Sequence, residues 1–170
     1  MADNLLLKIK RLDLRAVVPS KREEDAGLDI YALYEQSYHL LKPLEIWLAP
    51  TGIATQFSKD WVLLLHERSS TGIKGIAKRA GVIDSGYRGE IKVALQNNSS
   101  KYIIFISREI EEEEVLEKEQ LSREQVIFYP QEKAIIQAIL MYAPHPQIIE
   151  IDDFDEDSSR GEGGFGSSGR

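Results

Sequence analysis

Short apolar runs, each closed by turn-forming residues, recur along the chain. Over residues 5–12, Leu5, Leu7 and Ile9 alternate in part with Leu6, Lys8 and Lys10, the period-two pattern of a strand. Further short apolar runs at residues 44–48, 53–57, 61–65, 90–95 and 102–106 are strand candidates. Pro43, Pro50-Thr51-Gly52, Ser58-Lys59-Asp60, Ser85-Gly86 and Asn97-Asn98-Ser99-Ser100 separate them, with the residue types that turns require. Many short strands at this spacing predict an all-β sandwich or barrel. No internal repeat is visible. Two stretches break the pattern. Residues 107–125 are charged and rich in good helix formers, which predicts a solvated helix or a mobile excursion. From Asp152 the chain turns acidic and then rich in glycine and serine, with Arg160 and Phe165 set in it. That composition predicts a flexible C-terminal arm over residues 152–170, after a β-domain over residues 1–151.

Composition narrows the class. A length of 170 residues with 42% hydrophobic residues suits one domain with a real core. No apolar run approaches the roughly 20 residues of a membrane-spanning helix, so no membrane association is expected. The N-terminus mixes Asp3, Lys8 and Lys10 with its apolar residues, unlike a signal peptide. The chain has no cysteine, which excludes disulfides, thiolate zinc sites and a cysteine nucleophile and fits a cytoplasmic protein. The formal net charge of −7 argues against direct nucleic-acid binding as the main role. Charge is unevenly placed, however. Residues 109–124 hold eight glutamates against Lys118 and Arg123. Between Arg68 and Lys92 the balance reverses, with six cations against Asp84 and Glu90. A basic stretch on an acidic chain points to a small anionic ligand, or to a solvated loop.

Five segments carry candidate chemistry. In the arm, Arg160 suits bidentate phosphate binding. Phe165 suits stacking on a base, and the glycines allow a backbone cradle for an anion. A plain flexible tail is the ordinary alternative. Glu67-Arg68-Ser69-Ser70-Thr71-Gly72 places a cation and three hydroxyls at a strand end, which suits phosphate, or simply a turn. In residues 81–89, Asp84 follows two apolar residues and precedes a turn. It is placed to polarise a water, or to make an Asx-turn at a hairpin. Asp29 lies between apolar neighbours and needs a partner, an internal arginine or a hydrated metal. His39, His66 and His145 show no metal-ligand spacing.

Taken together and in this order, these segments resemble the trimeric dUTPases from about Leu5 to the C-terminus. AGLDIYA at residues 26–32 and ERSSTG at residues 67–72 look like the family's first and second motifs. GVIDSGYRGEI at residues 81–91 and RGEGGFGSSG at residues 160–169 resemble its third and fifth. The fourth is altered. In EKAIIQ, residues 132–137, the apolar pair and Gln137 match, while Glu132 and Ala134 replace the usual glycine and arginine.

The resemblance implies a jelly-roll-like β-barrel assembled as a homotrimer with shared sites. It also implies Mg²⁺-assisted hydrolysis of dUTP to dUMP and pyrophosphate, which limits uracil in DNA and supplies the dTMP precursor. One chain would give motifs one, two and four, a second the third, and the last the arm. Asp84 would orient the attacking water. Tyr87 would pack on deoxyribose, and the backbone of Ala80, Gly81, Val82 and Ile83 would read uracil. Arg68, Ser69, Ser70 and Lys92 would face substrate, and Asp29 and Gln137 would touch the waters of Mg²⁺. Arg160, Phe165, Gly166, Ser167 and Ser168 would close over the nucleotide. The segment at residues 107–128 resembles insertions of phage dUTPases. It implies a second possibility, a regulatory protein that binds a protein partner there. The dCTP deaminases share the fold but lack the glycine-rich Phe arm.

Overall fold

The computed structural model describes residues 5–154 together with Ser158 and Gly161. Its strands are β1 (Lys8–Arg11), β2 (Leu28–Ile30), β3 (Tyr38–Leu41), β4 (Ile46–Pro50), β5 (Ile53–Gln56), β6 (Trp61–His66), β7 (Ile76–Lys78), β8 (Val82–Ile83), β9 (Lys92–Asn97), β10 (Tyr102–Ile106), β11 (Val126–Pro130) and β12 (Ile136–Tyr142). Two helices, α1 (Ser69–Gly72) and α2 (Glu112–Glu119), and a 3-10 turn at Arg123–Gln125 interrupt them.

Side-chain alternation decides which face each strand buries. In β9, Val93, Leu95 and Asn97 point inward while Lys92 faces solvent, as a pleat with period two requires. The strands join as β1–β5, β4–β9–β7, β2–β12–β6–β8 and β3–β10–β11. Only β10 and β11 are both sequence neighbours and sheet neighbours. Every other pairing crosses over, giving a jelly-roll-like β-barrel. Its core contains Leu41, Leu63, Leu65, Ile91, Ile103 and Ile136, each at most 1% exposed. A line of rings runs through it. Trp47 lies 4.8 Å from Phe105, and Phe105 lies 5.4 Å from Tyr129.

The segment after β10 is neither an excursion nor wholly solvated. Strands β10 and β11 are parallel, with Tyr102 opposite Val126, and parallel neighbours need a crossover of a dozen or more residues. The intervening residues provide it. Glutamates in the first turn of α2 and Lys118 in its last suit the helix dipole. Gln120, with φ 54°, ends the helix in the left-handed region. Val115 is fully buried, packing with Ile104, Ile106 and Val126 and against Ile110, Leu116 and Phe128. This second cluster covers the outer face of the β3–β10–β11 sheet. The segment expected as an insertion at residues 107–128 holds α2, the 3-10 turn and the start of β11. Residues 126–128 belong to β11, and Ser107 already hydrogen-bonds through its N–H to the Ser37 carbonyl. No helix among the described residues is long and apolar enough to cross a membrane.

Candidate active site

Strand β12 lies between β2 and β6, with Gln137 opposite both Asp29 and His66. Past the end of β6 the chain turns through α1. The turn is pinned by Thr71, whose hydroxyl donates to the Arg68 carbonyl at 2.8 Å and accepts the Arg68 N–H at 3.1 Å. Arg68 is thereby carried back towards β2. Its Nε lies 2.9 Å from Asp29 Oδ1, its Nη2 donates to Asp29 Oδ2 at 3.3 Å, and its Nη1 to the Ala134 carbonyl at 3.2 Å. A guanidinium has five N–H donors, and these contacts use three. The N–H groups that remain on the Nη atoms, beside the Tyr129 hydroxyl, suit a phosphate. The side chains of Arg68 and Asp29 are 30% and 34% exposed. They line a cleft of about 560 Å³ with Ser20, Lys21, Gly27 and Gln137. Ser69 and Ser70 are exposed on α1.

Of the two partners open to Asp29 in the sequence, the structure supplies the arginine. Gln137 donates Nε2 to the Glu67 carbonyl at 2.9 Å, which leaves Oε1 as an acceptor beside Gly27. A Cβ on Gly27 would stand 2.6 Å from that oxygen, so only glycine allows the approach. The altered fourth motif still makes its turn. Lys133 N–H bonds the Pro130 carbonyl at 3.0 Å, and no residue from 130 to 134 has a positive φ, so no glycine is required. Glu132 instead pairs with Arg108, whose guanidinium holds its carboxyl below the ordinary value. The buried Tyr129 hydroxyl donates to the Ala134 carbonyl at 2.6 Å. Burial pushes that phenol up, against the pull of Ser70 and Arg68 beside it.

The second group sits on β8, the sheet edge next to β6. Tyr87 N–H bonds the Asp84 carbonyl at 3.1 Å and closes the turn. The exposed Asp84 carboxylate makes no hydrogen bond among the described residues, so it is not spent in an Asx-turn. Tyr87 donates its hydroxyl to the Glu90 carbonyl at 2.9 Å. Its ring lies over Gly89, where a Cβ would be 2.5 Å from the phenol oxygen. Leu48, Val82, Ile83, Asp84, Tyr87 and Lys92 line a pocket of about 610 Å³. Lys92 Nζ lies 3.7 Å from Glu90 Oε2. Ala80 is exposed, and the Gly81 carbonyl accepts the Leu65 N–H at 2.8 Å. Leu64 opposes Val82, so Gly81 opposes Leu65. In antiparallel pairs hydrogen-bonded positions alternate, which turns the N–H and C=O of Val82 outward to the open edge.

The structure does not bring the two groups together in one chain. Ile83 pairs with Leu63 near the start of β6, whereas Arg68 follows its end. Leu63 to His66 spans roughly 10 Å of strand, and Arg68 lies two residues beyond it. Arg160, Phe165, Gly166, Ser167 and Ser168 lie outside the described residues. Sequence reasoning gave no role to Tyr129 or Gly27, and the Thr71 hydroxyl it offered to phosphate is buried and spent on the Arg68 backbone. The close approach at Gly27 and the pairing of Tyr129 are tertiary and leave no local signal.

This arrangement, a jelly-roll-like barrel with a cationic cleft and an acid-bearing hairpin, defines a class that comparison makes specific. The dUTPase family model matches residues 15–109. The deoxyuridine 5'-triphosphate nucleotidohydrolase of Mycolicibacterium gilvum (strain PYR-GCK) is 33% identical over 171 residues, covering 96% of this chain and 94% of that protein. The protein of the same name from Nautilia profundicola is 32% identical, covering 96% and 99%. A solved mutant of the Staphylococcus bacteriophage 80alpha dUTPase with dUpNHpp is 25% identical, covering 97% of this chain and 99% of that one, with a TM-score of 0.74. The dUTPase of phage phi11 of S. aureus, described for its species-specific insert, shares the fold at 20% identity and a TM-score of 0.68, covering 89% and 99%. The chain belongs to the dUTPase family.

Proposed function

We infer that this protein hydrolyses dUTP to dUMP and pyrophosphate as a homotrimer with shared active sites. The observation that carries the reading is the separation of the two groups. The unpaired Asp84 carboxylate lies beside the start of β6, and the phosphate-fork donors of Arg68 lie beyond its end. A triphosphate held by Arg68 needs its water-polarising acid close by, so the acid comes from a second chain. The exposed pocket around Asp84 and Tyr87 then faces the cleft of a neighbour, and the arm carrying Arg160 and Phe165 comes from the third chain.

In this reading Asp84 orients and polarises the water that attacks the α-phosphorus, and the leaving group is pyrophosphate. Tyr87, held against Gly89, packs on the deoxyribose and leaves no room for a 2′-hydroxyl. The outward N–H and C=O of Val82 provide the donor and acceptor that a uracil edge matches, while Ala80, Gly81 and Ile83 shape the slot. Arg68, Ser69, Ser70 and Lys92 meet phosphate. Phe165 covers the base, and Gly166, Ser167 and Ser168 meet the γ-phosphate. The donor set of the cleft fits Mg²⁺ held chiefly by substrate phosphates. No cluster of three acidic or histidine ligands occurs among the described residues. The Gln137 Oε1 and the outer lone pairs of Asp29 suit contact with its waters. When bound, the ion neutralises phosphate charge. Positioning and charge neutralisation are most of what phosphoryl transfer asks of a protein. The setting is cytoplasmic.

The test is pyrophosphate release from dUTP, UTP, dCTP and dTTP, with and without Mg²⁺. Release from dUTP alone, lost in Asp84→Asn, is the expected result. Release from UTP or dTTP at a similar rate would contradict the assignment of Tyr87 and of the β8 edge.

A further inference from the structure

Arg68 is gripped on three of its five donors, and neither gripping group is itself a phosphate binder. The geometry points to Asp29 and Tyr129 as positioning residues that hold the Arg68 guanidinium with its free fork aimed at phosphate, independently of any metal ion. This rests on the reading of the cleft as the phosphate end of the site.

Asp29 binds Arg68 side-on, through Nε and Nη2. That contact fixes the plane of the guanidinium, because two parallel bonds forbid rotation about its long axis. The third contact sets its reach. Arg68 Nη1 donates to the carbonyl of Ala134 at 3.2 Å, and the Tyr129 hydroxyl donates to the same oxygen at 2.6 Å. Tyr129 is fully buried, its ring tilted against Phe105 in the core. The carbonyl is therefore tied to the most rigid part of the barrel. An arginine free to swing would lose side-chain entropy on gripping phosphate. One already fixed loses little, so the arrangement turns flexible charge into a preformed fork. Asp29 acts here through Arg68, a contact made before any nucleotide or ion arrives.

The two roles open to Asp29, on the arginine or on the waters of Mg²⁺, separate by binding. dUpNHpp affinity is measured for wild type, Asp29→Asn and Tyr129→Phe, in Mg²⁺ and in EDTA, with deoxyuridine as the phosphate-free control. Loss of a hydrogen-bonded charge partner predicts a weakening of about tenfold for Asp29→Asn that persists in EDTA. Tyr129→Phe loses about threefold, since it loosens only the carbonyl. Deoxyuridine binding is unchanged in both variants, and each remains folded by circular dichroism. In an Arg68→Lys background, Asp29→Asn adds nothing further, as expected of residues acting through one contact. A loss confined to Mg²⁺ would overturn the inference and return Asp29 to the ion. Additive losses in the double variant would overturn it equally. If wild type bound deoxyuridine but gained nothing from the phosphates of dUpNHpp, the reading of the cleft would fall, and this inference with it.

Discussion

The two halves of the site are built in opposite ways. At the cleft, side chains lock one another. Arg68 holds Asp29 and the Ala134 carbonyl, Gln137 holds Glu67, and Thr71 pins the turn. On the β8 hairpin the backbone makes the turn, and the Asp84 carboxylate has no hydrogen-bond partner among the described residues. In the proposed function, the difference follows from the task. A guanidinium on a long flexible stem must be fixed by partners before it selects a phosphate geometry. A short carboxylate is fixed by its backbone alone, and any partner would compete with the water it must polarise.

Asp84→Asn has the largest expected effect. Removing a general base costs on the order of 10²–10⁴ in rate, so kcat falls by about a thousandfold while dUpNHpp affinity stays nearly constant. A parallel loss of affinity would show that Asp84 serves to bind rather than to polarise water. Arg68→Lys comes next. An ammonium cannot reproduce the side-on and end-on forks together, and kcat/KM falls by roughly a hundredfold, about 2.7 kcal/mol. Full activity would mean that a point charge suffices and that the interlocked cleft is incidental.

Gly89→Ala tests whether the hairpin is rigid enough to discriminate. The new methyl must displace the Tyr87 ring. Preference for dUTP over UTP then falls about tenfold, the scale set by one misfitted small group, as read from the ratio of kcat/KM values. Helix α2 separates stability from both halves. Val115→Ala, which empties fully buried space on α2, lowers unfolding free energy by about 2 kcal/mol and leaves kcat unchanged. The smallest effect comes from His39, stacked 4.2 Å from Trp47. Burial lowers its pKa from the ordinary 6.5, so the unfolded chain takes up its proton first. Stability is therefore full above pH 6.5 and declines as pH falls below it. His39→Phe flattens that decline in urea titrations.

The runs of regular alternation were legible in the sequence. All six expected strands exist, as β1, β4, β5, β6, β9 and β10, with ends shifted by up to two or three residues. Strands β2, β7 and β8 hold two or three residues each, too few for a period to show. Tyr38–Leu41 and Ile136–Tyr142 have no clean alternation, since their environments change along their length. Val126–Pro130 was absorbed into the charged segment before it, because local charge outweighed a short apolar run. Asp29, Arg68, Asp84 and Gln137 stood out by residue type and order. What no local pattern revealed was the direct pairing of Asp29 with Arg68, 39 positions apart, and the part of Tyr129, made through the Ala134 carbonyl 66 positions from Arg68.

In the proposed trimer, Arg68 and Asp84 of one site belong to different chains. Asp84→Asn and Arg68→Ala proteins, each inactive, are unfolded together at equal concentration, refolded, and assayed for pyrophosphate release from dUTP. In randomly mixed symmetric trimers, a site sharing two chains draws both intact residues with a probability of roughly one quarter. Recovery of about that fraction of wild-type activity is the predicted result. No recovery in trimers shown to be mixed would place both residues in one chain's site and contradict the account.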